Sequence, residues 1–173
     1  MTTHPTCIIA YIGEGEHFAA VSAAALETAR SSNARLILYD VDAASPFGKP
    51  LPTNWSAGGA QDQVPSRLTV ADLEHAGRHE LAEQVQAAID SGIDAFGWLP
   101  GDRSGESLAT YAKQQQADLL MLPRELQDPG ILDRLRGRSL HDVEEHTHRT
   151  IALVDLNGDV EMTGAPPREE ADN

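Results

Sequence analysis

Arg124, Arg134, Arg136 and Arg138 crowd one stretch of the chain, with Gly130 and Gly137 among them. Guanidinium forks beside glycine turns are the chemistry of a phosphate clamp. The fork matches the oxyanion, and a residue without Cβ lets backbone N–H groups come close to it. The same stretch carries Asp133, Asp142, Glu144 and Glu145. The competing reading is therefore a set of surface ion pairs, each worth about 0–1 kcal/mol, and exposed pairs are the commoner case.

Other residues of the right types are less well spaced. His141, His146 and His148 lie near Glu144 and Glu145, but no two of these histidines stand one helical turn apart. His75 and His79 do, yet no third ligand accompanies them, and a zinc site needs at least three protein ligands. Glu14, Asp40 and Asp42 offer the oxygen donors a divalent ion takes, but solvated loop carboxylates are the simpler reading. No metal is expected. Cys7 is the only cysteine, which excludes an internal disulfide, a CxxC redox pair and a thiolate zinc cluster. Beside Ile8 and Ile9 it reads as a buried, inert strand thiol. There is no G-x-S-x-G elbow and no Cys–His nucleophile arrangement, so no catalytic residue is assigned and no enzyme is expected.

The elements that must position these residues follow from apolar patterning. Cys7–Ile12 and Leu36–Val41 are short continuous apolar runs, the mark of strands buried on both faces. Between them, from about His17 to Ser31, Phe18, Val21, Ala25, Leu26 and Ala29 fall on one helical stripe, with Asn33 as a left-handed C-cap. Residues 43–66 hold four prolines and three glycines without any period, and read as an excursion, mobile or loosely packed, that Phe47 and Trp55 pin to the body. Thr69 then caps one helix over Val70–Ser91, with Leu73, Ala76, Leu81, Val85, Ala88 and Ile89 inward and Gly77 tolerated at a cost of about 1 kcal/mol. Ile93–Leu99 is a third strand, Gly105–Gln116 a helix capped by Asp102 or Ser104, and Leu119–Leu122 a fourth strand. Ile131–His146 is a helix and Thr150–Val154 a fifth strand.

This alternation specifies an α/β fold: an open, doubly wound, parallel five-stranded sheet with four helices, in three Rossmann-like α/β/α layers. Residues 1–155 form the domain. Residues 156–173, with five acids, one base and a Pro-Pro pair, read as a disordered acidic tail. At 173 residues and 40% apolar content, one core is buried. The net charge of −14 repels phosphates, which argues against nucleic acid or an anionic membrane as partner. No run approaches the roughly 20 apolar residues of a membrane span, and the first residues lack a basic region followed by an apolar one, so a cytoplasmic location is expected.

Over residues 6–155 the order and spacing resemble the universal stress protein family. The shared features begin with a first strand ending in the Gly turn Ile12-Gly13-Glu14, an Ala-rich first helix, and the second-strand run. Gly101-Asp102 then leads into a helix, and Gln116-Ala117-Asp118-Leu119-Leu120 into the fourth strand. Gly137, Val143, His146 and the closing Thr150-Ile151-Ala152-Leu153-Val154 complete the set. In nucleotide-binding members an Asp at the end of the first strand meets the nucleoside. A G-x-x-G pair, then nine residues and Gly-Ser or Gly-Thr, hold ribose and phosphates. By this resemblance the ligand positions on the first two strands are Ile12, Gly13, Glu14, Asp40 and Val41. Those after the fourth strand are Pro123, Arg124, Gly130, Gly137 and Arg138.

Four of the five motif positions depart from the pattern. Ile12 replaces the Asp, Pro123 and Leu126 replace the paired glycines, Arg138 replaces the hydroxyl residue, and the turn is about one residue longer. The resemblance thus implies a cytoplasmic stress-response protein without the family's usual ATP binding and with no cofactor. It would act through contacts with an unidentified protein partner and as a homodimer whose Thr150–Val154 edge strand pairs across a two-fold axis. The alternative is an adenine-nucleotide binder that takes ATP or AMP with Mg through a variant, arginine-containing phosphate site.

Overall fold

The computed structural model describes residues 4–13, 15–41, 67–100, 105–127 and 149–163. The element order is β1 (Cys7–Ile12), α1 (Glu16–Ser32), β2 (Arg35–Asp40), α2 (Val70–His75), α3 (His79–Asp90), β3 (Ala95–Trp98), α4 (Gly105–Gln115) and β4 (Leu119–Pro123). A 3-10 turn (Arg124–Gln127), β5 (Thr150–Val154) and β6 (Val160–Thr163) follow. The strands form one sheet in the order β3-β2-β1-β4-β5-β6, parallel except for β6. Alternate residues of each central strand enter two separate cores. Ile8, Ala10, Leu36 and Leu38 pack under α1, α2 and α3. Cys7, Ile9, Tyr11, Ile37 and Tyr39 pack on the opposite face, with Leu108, Tyr111 and Ala112 of α4. That is why β1 and β2 read as unbroken apolar runs. The class expected from the sequence, a doubly wound α/β sheet, is the one observed.

The local signals at helix ends act as expected. Asn33 takes φ 54°, ψ 39° and closes α1. Thr69 accepts from Asp72 N while Asp72 Oδ2 accepts from Thr69 N at 2.9 Å, a complete capping box.

The expected single helix over Val70–Ser91 is instead two. Gly77 adopts φ 75°, Gly77 N donates to Glu74 O and Arg78 N to Leu73 O, so α2 closes with its own C-cap and α3 starts in a new phase. The reset leaves Ile89, expected inward, 42% exposed, while Leu81, Ala82, Val85 and Ala88 are buried. It also removes His75 and His79 from a common helix, and His79 Nδ1 meets Glu74 Oε2 instead.

Gly97 is required by its surroundings. A Cβ there would lie 2.8 Å from Leu73 Cδ1, and the backbone cannot retreat: Gly97 pairs with Leu38 of β2 on one side and exchanges hydrogen bonds of 2.8 and 2.9 Å with Leu68 on the other. Gly97→Val is expected to lower stability by about 1–3 kcal/mol, the usual scale of core overpacking. Urea denaturation measures it; a loss below a few tenths of a kcal/mol would mean that Leu73 swings aside.

The sheet has six strands where five were expected, and the last is antiparallel. Residues placed in a disordered tail turn back at Asp155–Asp159 and form β6 on β5. Asp155 Oδ1 accepts from Asn157 N at 2.9 Å and from Asp159 N at 3.0 Å, and Gly158 N donates to Asp155 O. Thr150–Val154 is consequently an interior strand, not the open edge it was expected to be. The excursion at 43–66 and the helix expected over 131–146 lie outside the described residues, as do Asp102 and Ser104.

The Ala117-Asp118 lead-in to β4 has a structural duty. Asp118 accepts from Thr6 N at 2.9 and 3.1 Å, from Thr6 Oγ1 at 3.0 Å and from Cys7 N at 3.1 Å, and its own N donates to Cys7 O. One carboxylate thereby ties the start of β1 to the start of β4.

Candidate functional site

In an open parallel sheet a ligand is expected at the carboxyl ends of the strands, where the strand order reverses. Here that point lies between β1 and β4. Their pairing runs Ile8–Leu119, Ile9–Leu120, Ala10–Met121 and stops, although each strand continues for two more residues. Ile12 and Pro123 stand at those two ends. Both are buried, and neither offers what a nucleotide would use. The Ile12 side chain carries no polar group, and Pro123 has no N–H to donate.

Among the described residues, Arg124 and Glu125 at this crevice both have side-chain partners already. From α1, His17 Nε2 reaches Glu125 Oε2 of the 3-10 turn at 2.8 Å, spanning the gap between the two strand exits. Arg124, expected as a phosphate group's partner, turns the other way. Its Nη2 lies 2.7 Å from Glu161 Oε2 on β6, and its Nη1 lies 4.0 Å from Asp155 Oδ2. A neighbouring pair of charges therefore points outward from the crevice on one side and closes it on the other.

Of the remaining expected positions, the structure brings Gly13, Asp40 and Val41 to the same edge as Ile12, with Asp40 directly opposite Ile12 in the β1–β2 register. Val41 is buried, while Gly13 and Asp40 are half-buried. Glu14, Gly130, Gly137 and Arg138 lie outside the described residues, together with Asp42, Arg134, Arg136, His141, His146 and His148. Leu126 belongs to the 3-10 turn. Among the described residues no three His, Cys, Asp or Glu side chains gather into a metal-holding group.

Sequence reasoning missed the feature that fills this end of the sheet. Tyr11, Tyr39 and Trp98 are register partners across β1, β2 and β3. Tyr111 of α4 joins the row. Ring centroids run Trp98–Tyr111 4.9 Å, Tyr111–Tyr39 5.7 Å, Tyr39–Tyr11 6.0 Å and Tyr11–Phe18 6.3 Å. These are the spacings of favourable aromatic pairs. Burial pushes the Tyr111 phenol well above its ordinary value. The signal in the sequence was an aromatic near the end of each of three successive strands. A ligand approaching the C-terminal edge from the α4 face meets packed rings.

A cleft of about 400 Å³ opens at the opposite, N-terminal edge, beside Thr6, Cys7, Arg35, Asp94 and Gln115. Arg35 Nε is held by Asp94 Oδ2 at 2.9 Å, and Gln115 Oε1 accepts from Arg67 Nε at 2.7 Å. Burial raises the Cys7 thiol above its ordinary value, in line with the inert reading, although Arg35 lowers it in part.

No protein-family model matches the chain, and no curated protein sequence does. Solved structures do. A protein of the universal stress protein family from Burkholderia pseudomallei is 15% identical, with a TM-score of 0.53, over 89% of this chain and 98% of that one. A universal stress protein in complex with cAMP is 17% identical, with a TM-score of 0.49, over 89% and 99%. A universal stress protein from Archaeoglobus fulgidus is 12% identical, with a TM-score of 0.49, over 90% and 93%. At such identities the likeness is one of fold. This chain has a universal-stress-protein-like fold, as the order of its elements implied.

Proposed function

We propose that this chain is a non-enzymatic, cytoplasmic stress-response protein that works through protein contacts as a homodimer and does not bind ATP in the manner of nucleotide-binding universal stress proteins. The observation that carries the reading is the state of the crevice between β1 and β4. Apolar Ile12 and imino Pro123 stand at the two strand ends, His17 and Glu125 span the gap, and Arg124 is drawn away to Glu161. A phosphate entering there would compete with carboxylates already engaged with His17 and Arg124, in a protein of net charge −14. No helix of the described residues is long and apolar enough to cross a membrane.

Protein purified without added nucleotide is expected to show no ultraviolet absorbance beyond that of its own Trp, Tyr and Phe residues. Excess absorbance removed by perchloric acid extraction, and identified as an adenine nucleotide, would replace this reading with that of a variant nucleotide site.

A further inference from the structure

β6 is the outermost strand of the sheet, and its outer edge is paired with nothing among the described residues. The two ends of the sheet are treated differently. At the β3 end, Leu68 bonds to Gly97 in both directions and occupies the edge. At the β6 end no such segment intervenes among the described residues. The strand, Val160-Glu161-Met162-Thr163, carries none of the usual devices that discourage edge pairing: no proline, no lysine, no bulge. Its one charged side chain, Glu161, is tied to Arg124 at 2.7 Å. Val160 and Met162 share the other face and are 46% and 59% exposed.

We infer that β6 is the face on which a second copy of this chain docks, extending the sheet across a two-fold axis that passes through Glu161. The inference rests on the homodimer reading above and names its surface. Directly opposed residues in an antiparallel pair share a face, and successive residues alternate faces, so a two-fold axis must pass through a residue and not between two. An axis through Val160 opposes Met162 to Gly158, which leaves the exposed methionine without an apolar partner. An axis through Met162 opposes Met162 to itself and leaves Val160 beyond the end of the described strand. An axis through Glu161 sets Val160 against the partner's Met162, and Met162 against the partner's Val160, so that both exposed apolar side chains are covered. The two Glu161 carboxylates then face each other, each with its own Arg124 guanidinium beside it. The strand reads apolar, acidic, apolar in either direction, which is what an isologous contact needs.

Charge sets a second expectation. Two copies of net charge −14 repel, so the dimer tightens as salt screens them.

Sedimentation of the full chain at rising concentration and salt tests the inference. The wild type is expected to dimerise, with tighter association at higher salt. Met162→Lys, at an exposed position, is expected to weaken the dimer at least tenfold with an unchanged circular dichroism spectrum. Met162→Thr, which suits a strand and adds no charge, is expected to weaken it less. Under diamide, Glu161→Cys is expected to form a disulfide-linked dimer far faster than Val160→Cys, because only position 161 meets itself; buried Cys7 does not compete. A wild-type dimer that ignores Met162→Lys and does not crosslink through Glu161→Cys would overturn the interface and leave the homodimer reading standing. A wild type that stays monomeric at every concentration and salt would overturn both.

Discussion

Tyr39→Ala is expected to lower the stability of this protein by about 3–5 kcal/mol, the range for removing a large aromatic from a core. Tyr39 is 1% exposed and sits in the middle of the aromatic row, 6.0 Å from Tyr11 and 5.7 Å from Tyr111 by ring centroids. Its loss leaves a hole between two strands and a helix. Parallel pairing on both sides, to β1 and to β3, stops the backbone from closing it. Tyr39→Phe keeps the ring and forfeits only what the hydroxyl contributes, about 1 kcal/mol for a typical hydrogen bond. For a domain of this size each kcal/mol moves the midpoint by about 2–4 °C. The alanine variant should therefore melt about 6–20 °C below the wild type, and the phenylalanine variant within a few degrees of it, on the same scale. An alanine variant as stable as the phenylalanine one would mean that the rings do not pack as described.

Asp118→Ala has the second largest expected effect, about 2–3 kcal/mol. Hydrogen bonds to a charged group contribute roughly 1.5–3 kcal/mol in favourable cases, and those made by one carboxylate do not add in full. The carboxylate collects Thr6 N, Thr6 Oγ1 and Cys7 N, joining the first residues of the sheet to its fourth strand across more than a hundred positions of sequence. Half-buried, it is partly replaceable by water for the Thr6 groups, which holds the cost below the sum of its bonds. Asp118→Asn retains one accepting oxygen and is expected to lose about half as much. Urea denaturation separates the three proteins. Equal stability of all three would show that water substitutes fully for the carboxylate.

These two residues also show what the sequence made legible. Asp118 stood out as part of a lead-in motif, but its purpose depends on where β1 begins relative to β4, which is a fact of tertiary register. Tyr11, Tyr39 and Trp98 lie far apart in the chain and become neighbours only when three strands align. Local signals fared better: the apolar runs of β1 and β2, Asn33 in the left-handed region and the Thr69 cap depend on a few adjacent residues. Gly77 was read as a tolerated helix residue because its propensity cost is small, yet its freedom at positive φ let the helix end and restart. The β5–β6 hairpin was obscured by the acidity of the last residues, although Asn157-Gly158 ahead of Val160-Glu161-Met162 is a hairpin signal with the right alternation. At the crevice, Ile12 and Pro123 were legible as substitutions. The engagement of Arg124 with Glu161 was not, since it requires β6.

Titration calorimetry of ATP with Mg into the purified chain tests the central claim most directly. Each missing polar contact costs about 1–3 kcal/mol, so the loss of two or three takes a micromolar site to the millimolar range or beyond. The account predicts a dissociation constant in that range or no measurable heat. A low-micromolar constant that weakens on Arg138→Ala would contradict it.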